Sequence, residues 1–204
     1  MALITVSNNS LTAVTALPAS VPTGALTLIK SITASSSASI SFVDGASDVV
    51  FDDTYKSYVF KFINIHPATA SVFQVNFRDG GTDYDATKTT TYFRARHFEN
   101  GTSGALGYLT GYDEAQSTGV QDLALDLGAD NDQSCSGELT IFNPSSTTFV
   151  KHFIATVQEA VADDQTRQNF VAGYCNVTAA IDGVQFSMSS GNIDSGIIKL
   201  YGVL

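Results

Sequence analysis

The chain has 204 residues and a mass of 21.6 kDa, with 44% hydrophobic but only 15% charged side chains. Its 22 Ser, 22 Thr, 16 Gly and 13 Phe favour strands and turns, which excludes a disordered chain and a long coiled coil. No apolar run reaches the roughly 18 residues of a membrane span, so no membrane insertion is expected. Ten basic against twenty acidic residues give a net charge of −10 with no Lys/Arg cluster, so nucleic acid is not an expected partner.

Residues 1–39 hold a single charged side chain, Lys30, among Ser, Thr, Ala and Pro. This composition reads as an N-terminal arm that needs a surface to lie against, its own domain or a neighbouring subunit. Pro18 and Pro22 bias the residues before them toward extended backbone, and the alternation of Ala25 to Ile32 predicts a strand. Met1 to Val6 lacks the basic start and apolar core of an export signal. A reducing compartment is therefore expected, with Cys135 and Cys175 as free thiols.

From residue 40 to 204, short strand-like runs alternate with turn clusters. Ile40–Val43 and Asp48–Phe51 are predicted strands, and Tyr55–Ile65, apolar on both faces, is predicted to be central. Phe73–Phe77 precedes the Asp79-Gly80-Gly81-Thr82 turn. Thr89–His97 presents Tyr92, Arg94 and Arg96 on a side expected to be wet, and Thr91, Phe93 and Ala95 on the other. Residues 99–118 read as a long loop and Gln121–Leu127 as a clean strand. Glu138–Phe142 and Thr148–Val157 flank the Asn143-Pro144-Ser145-Ser146-Thr147 turn, a predicted hairpin. Gln158–Gln168 reads as a short helix or an exposed loop, and Phe170–Asn176, Val184–Met188 and Ile197–Tyr201 close the chain as strands. About ten strands with marginal helix predict one all-β domain, an antiparallel β-sandwich of jelly-roll type.

Catalytic chemistry finds no anchor. His66, His97 and His152 lack partners at metal-ligand spacing, and no nucleophile elbow, zinc motif, phosphate loop or dinucleotide fingerprint occurs. No enzymatic activity and no cofactor are therefore expected. The acidic loop with Asp126, Asp130 and Asp132 is a weak calcium candidate that lacks a closing Glu; Asp79, Asp83 and Asp85 form a weaker one. Tyr84, Tyr92, Tyr108 and Tyr112, with Asp and Asn nearby, have the composition of a carbohydrate platform or of a subunit interface, and the absence of Trp favours the interface.

The C-terminal run Met188-Ser189-Ser190-Gly191-Asn192-Ile193 continuing to Gly196-Ile197-Ile198-Lys199-Leu200-Tyr201-Gly202 resembles the closing hairpin of virion structural proteins of tailed bacteriophages, marine phages especially. Phe77-Arg78-Asp79-Gly80-Gly81-Thr82-Asp83-Tyr84 and Ile141 to Thr148 are similar to segments of the same group. The resemblance implies a non-enzymatic virion component, made in the host bacterial cytoplasm. Taken with the strand-rich, charge-poor composition, it leads to the expectation of a homo-oligomer, a trimer, that decorates the capsid or forms part of a head or tail fibre with other virion proteins. The alternative it leaves is a receptor-binding module that recognises host surface glycans.

Overall fold

A computed structural model describes residues 26–204, all strand, turn and loop without helix; residues 1–25 of the expected arm lie outside it. The strands in chain order are β1 (Leu26–Thr33), β2 (Ser39–Val43), β3 (Ser57–Pro67), β4 (Ser71–Arg78), β5 (Lys88–Phe98) and β6 (Gly104–Tyr108), followed by β7 (Gln121–Leu127), β8 (Cys135–Phe142), β9 (Lys151–Val161), β10 (Gln165–Cys175), β11 (Gly183–Met188) and β12 (Ile193–Val203). Every pairing is antiparallel. The hydrogen-bonded network comprises a large layer, β1-β12-β3-β8-β9-β10-β5-β6, and a small one, β2-β11-β4-β7, joined by the single pairing Leu127 to Val161.

The chain is therefore an antiparallel β-sandwich whose sheets run together at one seam. Alternation decides which side chains enter the space between the layers. On the small layer Phe42, Phe73 and Phe186 point inward; on the large layer Phe60 and Phe62 meet them. Phe186 is the hub, with ring centroids 5.2 Å from Phe60, 5.1 Å from Phe62, 5.8 Å from Phe73 and 6.4 Å from Phe42. Farther along, Phe77 of β4 packs on Phe153 of β9 at 4.8 Å. The interior is thus built from rings whose edge-to-face contacts add to the burial of their surface.

β3 and β12 pair along most of their length but slip register around Asn64 and Gly196. Both residues have positive φ, 49° and 120°, and a Cβ on Gly196 would stand 2.6 Å from the Asn64 carbonyl oxygen. Only glycine allows the two backbones to approach so closely there. β1 lies along the outer side of β12, with Leu26 facing Val203 and Thr33 facing Ile197, and is one edge of the large layer. β6 is the opposite edge.

Several expectations are corrected. Residues 48–51 form no strand: Ser47 and Asp48 have positive φ, and the Asp44 carboxylate accepts the Phe51 N–H at 2.8 Å, which holds a loop. Val49 and Phe51 are nonetheless buried in the core. The stretch 99–118 is not all loop, because β6 pairs with β5. Residues 158–168 are neither helix nor loop, since β9 and β10 form a hairpin through a tight turn with Asp164 at φ 55°. The supposedly wet side of β5 faces inward: Lys88, Thr90 and Tyr92 are buried on it, while Phe93 on the other side is 40% exposed.

Candidate functional site

The four candidate tyrosines do not form one platform. Tyr92 is fully buried, and desolvation holds its phenol well above the usual range. Tyr112 lies over it with ring centroids 5.9 Å apart. Tyr108, on the β6 edge, is exposed and donates its hydroxyl proton to Asp113 at 2.5 Å, an interaction that raises its pKa. Tyr84 stands apart, near Gly183 and the Arg78–Asp182 ion pair at the ends of β4 and β11. Two rings, Tyr108 and Tyr112, are thus left facing solvent.

The acidic loop does not gather its carboxylates. Asp126 pairs with Arg167 and lies 3.7 Å from Arg94, whereas the Asp130 N–H donates to the Gln133 side chain and its carbonyl accepts the Gln133 N–H. Among the described residues no three His, Cys, Asp or Glu side chains cluster as metal ligands, so neither run of aspartates gathers its carboxylates at one point. The His66 ring sits 2.7 Å from the Gln133 carbonyl, and His152 packs against Tyr174 at the surface. Cys135 and Cys175 are buried free thiols, and desolvation pushes the Cys175 thiol up to about 12.

Polar side chains missed by the sequence reading line the inner face of β9, β10 and β5. At one end Lys151, Cys175 and Lys88 occupy one register, and both lysines are fully buried. The Lys151 ammonium donates to the carbonyls of Ser146 at 3.1 Å, Val177 at 2.8 Å and also Ala179; that of Lys88 donates to the Gly119 carbonyl. Burial lowers both pKa values, and the carbonyls replace the lost water. The lysines therefore tie three long loops to the sheet.

At the other end Glu159 faces Arg167 across the β9–β10 ladder. Glu159 is fully buried; one of its carboxylate oxygens accepts the Asn169 amide at 3.1 Å and the other has no partner. Burial raises its pKa, opposed in part by Asn169 and Arg167. Arg167 also reaches Asp126 and Asp163 at the rim of a cleft of about 620 Å³ at the seam between the layers. That cleft matches a small-molecule site in size, but its charged groups are already paired with one another. A nucleophile held by a general base is not among its lining residues, which are Ala, Val, Leu, Ser, Asp and Arg.

The outer faces of the two layers differ in kind. On the small layer it is polar, with Ser39, Ser41, Gln74, Asn76, Gln185 and Ser187; the Gln185 amide donates to Ser41 at 2.9 Å. On the large layer one register runs Leu28, Tyr201, Val59, Thr140, Ile154, Ala172 without a charge. The neighbouring register runs Lys199, Lys61, Glu138, Thr156, Phe170, Phe93. Phe93 and Phe170 stack at 4.7 Å, and Ile154 is 52% exposed. Of twenty carboxylates in the chain these registers contain one, Glu138, and it is paired with Lys61. Ile154, Phe170 and Phe93 thus form an apolar patch across three adjacent strands, of the kind that marks an interaction surface.

No protein-family model, no curated protein and no solved structure matches the chain.

Proposed function

We propose that this chain is a non-enzymatic structural protein of a phage virion, which assembles with copies of itself and with other virion proteins to decorate a capsid or build part of a fibre. The observation that carries the reading is the outer face of the large layer, which sets Ile154, Phe170 and Phe93 side by side and bears a single carboxylate, Glu138, on an otherwise acidic molecule. Such a face suits a protein whose task is burial against other subunits. The resemblance of the C-terminal hairpin to virion proteins supplies the setting, and the mutually paired charges of the seam cleft fit a structural role. Quantitative mass spectrometry of purified particles tests this: the chain is expected in fixed stoichiometry with the major capsid or tail proteins. Its absence from particles that assemble normally overturns the reading.

Recognition of host glycans is the second reading, favoured by Tyr108 and Tyr112, which remain exposed next to Asp113. Binding on a glycan array that is lost in Tyr108→Ala and Tyr112→Ala supports it; an array without signal removes it.

A further inference from the structure

We infer that the outer face of the large layer is the contact between two copies of this chain, placed face to face about a two-fold axis. The inference rests on the structural reading above and names the partner of that surface. The two registers above and the next one, which runs through Val203, Ser57, Phe142, His152, Tyr174 and Thr89, cross seven strands spaced by about 4.8 Å and present roughly 700 Å² of sheet, close to the roughly 800 Å² per partner of a standard stable interface. The area therefore suffices for a lasting dimer.

Charge selects a second copy as the occupant. Each chain carries −10, so two copies repel wherever their carboxylates meet. Ile154, Phe170 and Phe93 lie on the adjacent strands β9, β10 and β5; the charges of the face are the central pair Glu138 and Lys61, which neutralise each other, and Lys199 one strand from the edge. Two copies can close on this surface with little repulsion. The opposite face of the sandwich is lined with Ser and Gln, so it offers the apolar face no comparable match. A surface whose best complement is itself makes an isologous contact, and isologous contacts close as dimers. The geometry thus favours a two-fold assembly over the expected trimer.

Sedimentation velocity and light scattering on the full chain test this, with Ile154→Asp and Phe93→Asp as variants. Both side chains are substantially exposed, so folding should be retained and is checked by circular dichroism. The wild type is expected at twice 21.6 kDa, and each variant is expected to dissociate with a dimer constant weakened by about a hundredfold or more, because each contact then buries unpaired carboxylates. Gln185→Asp on the polar face should leave the dimer intact. A wild type that is monomeric at sub-millimolar concentration, a trimer, or a dimer indifferent to Ile154→Asp overturns the inference. Detection of the chain in particles is independent of these outcomes. A monomer found in virions would sink the two-fold contact alone, and a dimer absent from virions would sink the virion reading alone.

Discussion

Replacing Glu159 by Gln probes the one buried carboxyl whose second oxygen has no partner. Burial raises its pKa in the folded state, so the folded chain holds this proton more tightly than the unfolded chain does. The group's contribution to stability is then fully present below the unfolded-state value and is lost as the pH rises toward the folded-state value. Glutamine keeps the shape, carries no charge and brings an amide donor beside Asn169, whose own Oδ1 is buried without a partner. A buried acceptor without a partner costs about 1–3 kcal/mol. Glu159→Gln should therefore stabilise the protein by about 1–2 kcal/mol near pH 8, raising the melting temperature by about 2–4 °C per kcal/mol at this chain length. Near pH 3, below the ordinary carboxyl value of about 4.3, the group is largely protonated in both states and the difference should shrink toward zero. Paired calorimetric melts across this range isolate the residue, because the other carboxylates cancel in the difference. A variant less stable than wild type near pH 8 would show that Glu159 is ionised and usefully paired with Arg167, and the reasoning would fail.

Phe186→Ala empties the hub of four ring contacts and should cost about 3–5 kcal/mol, lowering the melting temperature by about 10 °C or more; a fall of only a degree or two would mean that the layers close over the gap. Lys151→Met keeps the buried stem but releases three carbonyls, and a loss of about 2 kcal/mol in urea unfolding is expected. Faster amide exchange confined to residues 144–149 and 176–180 should accompany it. Gly137→Ala sets a Cβ 2.2 Å from the Thr156 carbonyl oxygen and should disrupt the β8–β9 ladder, seen as loss of soluble expression or a lowered denaturant midpoint, whereas Gly107→Ala, with open space around it, should be silent. Ellman's reagent should leave both thiols untouched in the native protein and titrate two after unfolding; rapid native labelling would contradict their burial.

What the sequence disclosed followed from simple alternation. β3 and β7 were legible because Tyr58, Phe60 and Phe62, and Leu123, Leu125 and Leu127, repeat at period two. The β8–β9 hairpin was legible through Asn143 and Pro144, although its loop runs on to Val150. The β9–β10 hairpin was hidden because its turn uses Asp164 in the left-handed region instead of glycine, and its flanks carry Glu159 and Arg167 inward. The same compensation inverted β5: Arg94 and Lys88 face inward because Asp126 and the Gly119 carbonyl meet them from distant parts of the chain. The apolar outer face was equally hidden. Phe93, Ile154 and Phe170 are scattered over three strands of the sequence, and only the register shows them side by side on the outside.

The pairing of Leu26 with Val203 has a mechanical consequence. β1 and β12 run antiparallel from that pair, so tension applied between residues 26 and 203 does not shear the ladder. It opens the bonds one after another from that end, like a zipper, and each step yields to a small force. β10 is different: it is bonded over all eleven residues on both flanks, to β9 and β5, and can be extracted only by breaking two ladders. Strain entering through the chain ends should therefore be spent peeling off β1, while the middle of the large layer keeps its shape.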